Sequence, residues 1–324
     1  MVNSKINPVL ESTEFVVKNA KDVKINSSRI KDVAKEWVRQ DINFPKWPQD
    51  MHLESDDVRK KLDYLILLDG LNFCFWQKNY KDKWRVKYGD KEYNGYFSLS
   101  LALKIFFENN LDKTNYKYLS TISFLDFKKI LDGEGTLLLM RERWLTLKAL
   151  SCMMIKKYDG DSLKFVSLAK SKFANIVPMI ADLPSFGDTT KYKSKKIYIW
   201  KRAQILACDI YGAFAGKGPG RFTDKEYLTA FADYKVPQIL HTLGLIEYSD
   251  RLTSKIRVLT EIKAGSREEI EIRAATIWAV EYLRREMKKL GKNMFAFEID
   301  WILWNNAKNE DMALPYHHTK TVFY

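Results

Sequence analysis

Cysteine, proline and glycine are all scarce in this chain, with 3 Cys, 8 Pro and 14 Gly in 324 residues. Cys74, Cys152 and Cys208 stand far apart and are odd in number, which argues against a disulfide framework and fits a reducing compartment. So little glycine and proline excludes collagen-like repeats and a linker-dominated chain. No apolar run approaches the roughly 18 to 20 residues of a membrane span. The best one, Tyr64 to Trp76, is interrupted by Asp69 and Gly70. The N-terminal residues lack the apolar stretch of a secretory signal, so a cytoplasmic protein with no membrane partner is expected. There is no Cys-x-x-Cys, and His317-His318 are neighbours rather than helix-face partners, so no metal and no cofactor is expected. A Gly-x-Ser-x-Gly elbow is missing too, and no cysteine has a histidine close in sequence. Nucleophilic Ser or Cys chemistry has no local support.

What the chain does have is aromatic residues and positive charge. Phe, Trp and Tyr make up 14% of it, and 54 basic against 41 acidic residues leave a net charge of +13. That excess favours anionic partners such as nucleic acid, nucleotides or phosphates. The lysines are scattered, with pairs such as Lys195-Lys196 and Lys288-Lys289 but no block of five. A small phosphorylated ligand needs one or two of these charges, and an extended polyanion track is not called for.

The apolar pattern is mainly helical. Val58, Leu62, Leu65 and Ile66 recur at helical spacing, as do residues across Ser98–Asn109, Leu137–Ile155 and Ser162–Asn175. Ser266 and Glu269 form a capping-box pattern that opens a helix running to Gly291, and a last helix covers Phe297 to Trp304. Alternation around Gly89-Asp90 predicts a short β-hairpin. No βαβ rhythm appears. The expectation is one two-lobed, mostly helical domain over 1–324 with a small β-hairpin insertion. Its parts are an N-terminal wrapping segment 1–45, a first helical lobe with the hairpin at 46–190, and a catalytic helical lobe at 191–324. Lys191 to Lys196 is the best candidate hinge, or else a surface loop.

The run Gly212-Ala213-Phe214-Ala215-Gly216-Lys217-Gly218 invites a phosphate-loop reading. It fails, because three residues rather than four separate the first glycines and Gly218 stands where a magnesium-binding hydroxyl belongs. Two other stretches are more specific. In Tyr198-Ile199-Trp200-Lys201-Arg202-Ala203-Gln204, Lys201 lies near the start of a helix whose apolar stripe is Ala203, Leu206, Ile210 and Ala213. A cation there is disfavoured by the helix dipole unless an anion joins it. In Phe231-Ala232-Asp233-Tyr234-Lys235-Val236-Pro237, Pro237 suits the first turn of a helix, which puts Asp233 just ahead of a positive helix end. The alternatives are a solvated lysine and a capping carboxylate.

Leu71-Asn72-Phe73-x-Phe75-Trp76, Gly95-Tyr96-Phe97-Ser98-Leu99, Lys201-Arg202-Ala203-Gln204-Ile205, Phe231-Ala232-Asp233-Tyr234 with Pro237-Gln238, and Glu271-Ile272-Arg273 together resemble the queuosine salvage family, the queuosine 5'-phosphate N-glycosylases. The likeness runs from about Trp47 to Tyr324. It implies a mainly α fold related to helix-hairpin-helix DNA glycosylases. It also implies hydrolysis of queuosine 5'-monophosphate to release queuine for tRNA modification, by a monomer acting on a small-molecule nucleotide with no stable nucleic-acid partner. Lys201 and Asp233 fall on the family's catalytic lysine and aspartate. The alternatives are a glycosylase acting on a base within DNA or RNA, and a non-catalytic protein binding a modified nucleoside or tRNA.

Cleaving an N-glycosidic bond builds positive charge on the sugar, which a fixed carboxylate such as Asp233 would stabilise while orienting or deprotonating water, the alternative being a covalent glycosyl–enzyme intermediate. A flat base calls for aromatic walls and a few polar contacts. Phe73, Trp76, Tyr96, Tyr234 and Trp301 are candidate walls, Asn72 and Asp300 candidate edge readers, and Ser98 a further candidate substrate contact. For each aromatic the alternative is core packing. Asp300 lies inside the apolar run Ile299-Asp300-Trp301 and therefore needs a partner.

Overall fold

A computed structural model describes residues 7–307 and 311–324. The first six residues of the 1–45 segment lie outside the described residues. Among those described are fourteen α-helices and three two-stranded antiparallel sheets, so the chain is mainly α with small β insertions, as the hydrophobic pattern predicts. None of the helices is long and apolar enough to cross a membrane. The chain divides into two compact units, each assembled from separate stretches of sequence.

Among the described residues, the first unit takes 7–46, 188–204, 224–307 and 311–320. Its axis is the helix Arg267–Lys289, which starts where Ser266 accepts the Glu269 amide. The expected capping box forms only in part, because the Glu269 carboxylate accepts the Gly265 amide instead of that of Ser266. Ile272, Ala275, Ala279 and Leu283 recur along one side of this helix and share a core with Ile30, Val33, Ala34 and Trp37 of the helix Ser27–Arg39. Ile270, Ala274, Ile277 and Trp278 cover another side against Val9 and Val16 of the helix Pro8–Asn19. A helix buried on two sides must pair any charge it carries there. Glu271 does so by accepting the backbone amides of Lys21 and Asp22 and the Tyr192 hydroxyl.

Where the sequence suggests a charged hinge, the chain forms a hairpin, Thr189–Tyr192 with Lys195–Tyr198. Lys193 and Ser194 both take left-handed φ, 46° and 68°, as a tight two-residue turn requires. Neither is Asn or Gly, so the sequence carried no turn signal there. A second short pairing joins Val23–Ile25 to Ile246–Tyr248.

The second unit takes residues 47–187, 205–223 and 321–324. It holds the helices Val58–Leu71, Tyr96–Asn109 and Met140–Tyr158, and the expected hairpin, Arg85–Tyr88 paired with Lys91–Asn94 across Gly89 and Asp90. The helix expected over Ser162–Asn175 is two helices, Ser162–Ser167 and Phe173–Ala181. Lys170 and Ser171 break it, because their φ values of 50° and 56° cannot continue a right-handed helix. The glycine-rich run after residue 212 ends the helix Lys201–Ala213. Ala215 and Gly216 turn left-handed, and the Gly216 amide returns to the Tyr211 carbonyl at 2.9 Å. A helix rather than a strand precedes this run, which bears out the rejection of a phosphate loop.

Candidate active site

The segment Leu228–Tyr234 of the first unit is neither helix nor strand, yet almost all of it is buried. Its backbone polar groups therefore need partners that a helix or a sheet would otherwise supply. Buried side chains provide them. Gln204 accepts the Thr229 amide at 2.8 Å and donates to the Ile199 carbonyl at 3.2 Å. Asp300, on the helix Ala296–Asn306, accepts the Phe231 amide at 2.8 Å. Arg273 donates from Nε to the Ala232 carbonyl at 3.0 Å. Each support comes from a stretch the sequence singled out, respectively Lys201-Arg202-Ala203-Gln204, Ile299-Asp300-Trp301 and Glu271-Ile272-Arg273.

This scaffold presents Asp233. Its Oδ1 accepts the amides of Lys235 at 2.7 Å and Val236 at 2.9 Å, the first two residues of the helix Lys235–Thr242. The carboxylate is thus fixed at the positive end of a helix, as the position of Pro237 suggested. Its Oδ2 takes no hydrogen bond from the described residues. One oxygen is anchored and the other is not.

Lys201 opens the helix Lys201–Ala213 and is 6% exposed. Trp200, just before it, has a left-handed φ of 50°, an uncommon conformation for a bulky side chain that its surroundings must enforce. Asp188 does this. Its carbonyl accepts the Ile199 amide at 3.1 Å and the Trp200 amide at 3.2 Å, and its Oδ2 accepts the Lys201 amide at 3.2 Å.

The electrostatics tie these groups together. Burial pushes the Asp300 carboxyl up to about 8, and the charge of Asp233 pushes in the same direction, whereas the Phe231 amide and Lys201 pull it down. At neutral pH Asp300 therefore holds its proton. Beside them Tyr234 packs on Tyr316, ring centres 4.9 Å apart, and Lys235 lies over the Tyr316 ring at 5.2 Å. Burial lowers the Lys235 ammonium and the nearby Asp233 raises it. Trp301, one residue past Asp300, is half-buried against Trp304.

Asp233, Lys201, Tyr234, Asp300 and Trp301 thus all fall in the first unit, and the other candidates fall in the second. There Phe73 is fully buried under the Arg143 guanidinium, 4.3 Å above its ring, and Arg143 also donates to the Phe73 carbonyl. Asn72 donates to Asp69 at 3.2 Å, and Trp76 is buried. Ser98 is buried and donates to the Tyr93 carbonyl, which ties the hairpin to the helix Tyr96–Asn109. Tyr96 stands between His52 Nε2 at 2.8 Å and Asp209 Oδ2 at 2.9 Å. Burial pushes the His52 imidazole down to about 4.

Among the described residues no group of three or more His, Cys, Asp or Glu is placed to hold a metal ion. Asp188 lies outside every stretch that the sequence singled out. Gln204 and Arg273 lay inside quoted stretches, but spacing alone does not show that they brace the backbone around Asp233.

Residues 51–324 match the family model of the queuosine salvage protein. The chain is 37% identical over 318 residues to the queuosine 5'-phosphate N-glycosylase/hydrolase of Sphaerobacter thermophilus, covering 98% of this chain and 97% of that protein. It is 31% identical over 330 residues to the protein of the same name from Mus musculus, and 32% identical over 333 residues to that from Dictyostelium discoideum, with 97% or more of each chain covered. The chain belongs to the queuosine salvage protein family.

Proposed function

We propose that this chain hydrolyses the N-glycosidic bond of queuosine 5'-monophosphate and releases queuine. Its similarity over nearly full length to queuosine 5'-phosphate N-glycosylase/hydrolases supports the reading. The observation that carries it is the state of Asp233, with Oδ1 held by two amides at a helix start and Oδ2 without a hydrogen-bond partner among the described residues.

In the reaction the bond between the anomeric carbon and the base nitrogen breaks, and the base leaves with the electron pair. The sugar approaches an oxocarbenium ion. The fixed Asp233 carboxylate stabilises that positive charge and orients the water whose oxygen bonds to the anomeric carbon, while one proton of that water ends on the nitrogen of the departed base. The base is a 7-deazapurine, so protonation of ring nitrogen 7, the usual aid to a leaving purine, does not exist for it. Hydrogen bonds to other edges must help instead, and Asp300, protonated at neutral pH, is a donor of the right kind. Lys201 holds either the 5'-phosphate or the Asp233 carboxylate and the ribose. Tyr234 and Trp301 supply flat apolar surface for the base. No step calls for a cofactor, and a cytoplasmic monomer fits a small-molecule substrate.

The test is incubation of the purified protein with queuosine 5'-monophosphate and detection of free queuine by mass. Queuine accumulating well beyond one equivalent of enzyme is the expected result. Stoichiometric binding without free base would overturn the reading and point to a binding protein.

A further inference from the structure

We propose that the buried ion pair Arg273–Asp188 is a positioning device that holds Lys201 and Asp233 in the geometry needed for N-glycoside cleavage. This rests on the function proposed above. The pair is bidentate, with Nη1 at 2.9 Å from Oδ1 and Nη2 at 2.6 Å from Oδ2. Both residues are almost fully buried. Neither is confined to its partner. Arg273 Nε donates to the Ala232 carbonyl, the peptide unit that leads directly into Asp233, and Nη1 also meets Glu269 at 3.3 Å. Asp188 accepts the Lys201 amide on Oδ2, and its carbonyl takes the two amides before that. One planar unit therefore fixes the backbone at both functional side chains.

The chemistry selects arginine for this task. A guanidinium offers N–H donors in a rigid planar fork, so it can grip a carboxylate with two and reach a carbonyl with a third. A lysine ammonium is a point charge on a flexible stem and could satisfy one side only. For stability alone a buried ion pair is a poor choice, since apolar residues of similar volume often serve as well. The left-handed Trp200 is a second sign that the local backbone is held against its own preference. Displacing a catalytic group by about 1 Å is enough to cost roughly 100-fold in rate. Arg273 and Asp188 act through the backbone and leave substrate binding to other groups.

The test compares wild type with Arg273→Lys and with the paired change Arg273→Gln plus Asp188→Asn, which removes both charges of the pair together and leaves Glu269 its bond from the Gly265 amide. Melting temperature and circular dichroism confirm folding, and kcat and KM are measured for queuine release from queuosine 5'-monophosphate. The expected result is a fall in kcat of about 100-fold with KM within about threefold of wild type. A folded variant of either kind with kcat within about threefold of wild type overturns the assignment, and so does a loss confined to KM. Failure of the paired variant to fold would mark the pair as structural and overturn it as well. Wild type run alongside separates the two readings. If wild type releases no queuine, the proposed function falls and this assignment with it. If wild type turns over and the variants match it, only the positioning role falls.

Discussion

The Asp300 carboxyl accepts the Phe231 amide at 2.8 Å, which ties it to the backbone two residues before Asp233. Burial and the Asp233 charge hold its proton on up to about pH 8, against an ordinary value of 3.8 for an aspartate. Between those two values the native state binds a proton that the unfolded chain has lost. Stability must therefore fall as pH rises through that window. An asparagine at the site cannot ionise, so it lacks this pH-dependent penalty. In urea denaturation followed from pH 5 to pH 8, wild type should lose stability more steeply than Asp300→Asn. Parallel curves for the two proteins would show that Asp300 is ionised throughout.

Asp233 accepts two amides at a helix start and is the proposed catalytic carboxylate, and two substitutions separate these roles. Asparagine caps a helix about as well as aspartate, so Asp233→Asn keeps the bonds to Lys235 and Val236 but lacks the negative charge. It should melt within a few degrees of wild type while releasing queuine at least about 1000-fold more slowly. Asp233→Ala should be equally inactive and also lose about 1 kcal/mol, the usual worth of an N-cap. Near wild-type turnover by Asp233→Asn would remove this carboxylate from the mechanism.

The helices were readable because their apolar residues recur at helical spacing, as in Arg267–Lys289, where the cap Ser266 also marks the start. The break at Lys170-Ser171 and the turn at Lys193-Ser194 were not, since each places ordinary residues in a left-handed conformation that favours glycine or asparagine. The position of Asp233 ahead of a helix followed from Pro237, a local signal. Its supports came from Gln204, Arg273 and Asp300, which are local to nothing near residue 233. A contact between an irregular segment and three distant side chains leaves no periodicity to read. The half of the sequence pattern that concerns backbone satisfaction becomes visible only once the fold is known.

Charge argues for a mononucleotide rather than a polymer. Lys201 is buried and Lys235 half-buried near Asp233, whereas the remaining basic excess is not concentrated in one block of sequence. A protein neutralising several backbone phosphates loses on the order of 1000-fold or more in affinity between 50 and 200 mM salt. A single 5'-phosphate releases far fewer counterions. The kcat/KM for queuosine 5'-monophosphate should fall less than about tenfold over that range, and should exceed that for the unphosphorylated nucleoside by at least about tenfold. Equal values for nucleotide and nucleoside would remove the phosphate from recognition.

Gln204 offers a test of the scaffold that is independent of the reacting groups. Its amide is fully buried, accepting from Thr229 and donating to Ile199, and it has no charge to lend to catalysis. Gln204→Leu keeps the bulk and removes these two bonds along with those to the Thr229 hydroxyl, so a buried N–H and a buried C=O are left without that partner. Each such group costs about 1–3 kcal/mol, so a loss of about 2–4 kcal/mol is expected from the urea midpoint, with the slope unchanged. A leucine variant within about 0.5 kcal/mol of wild type would mean that the segment carrying Asp233 finds other partners. Gln204 would then not be what holds the irregular backbone in place.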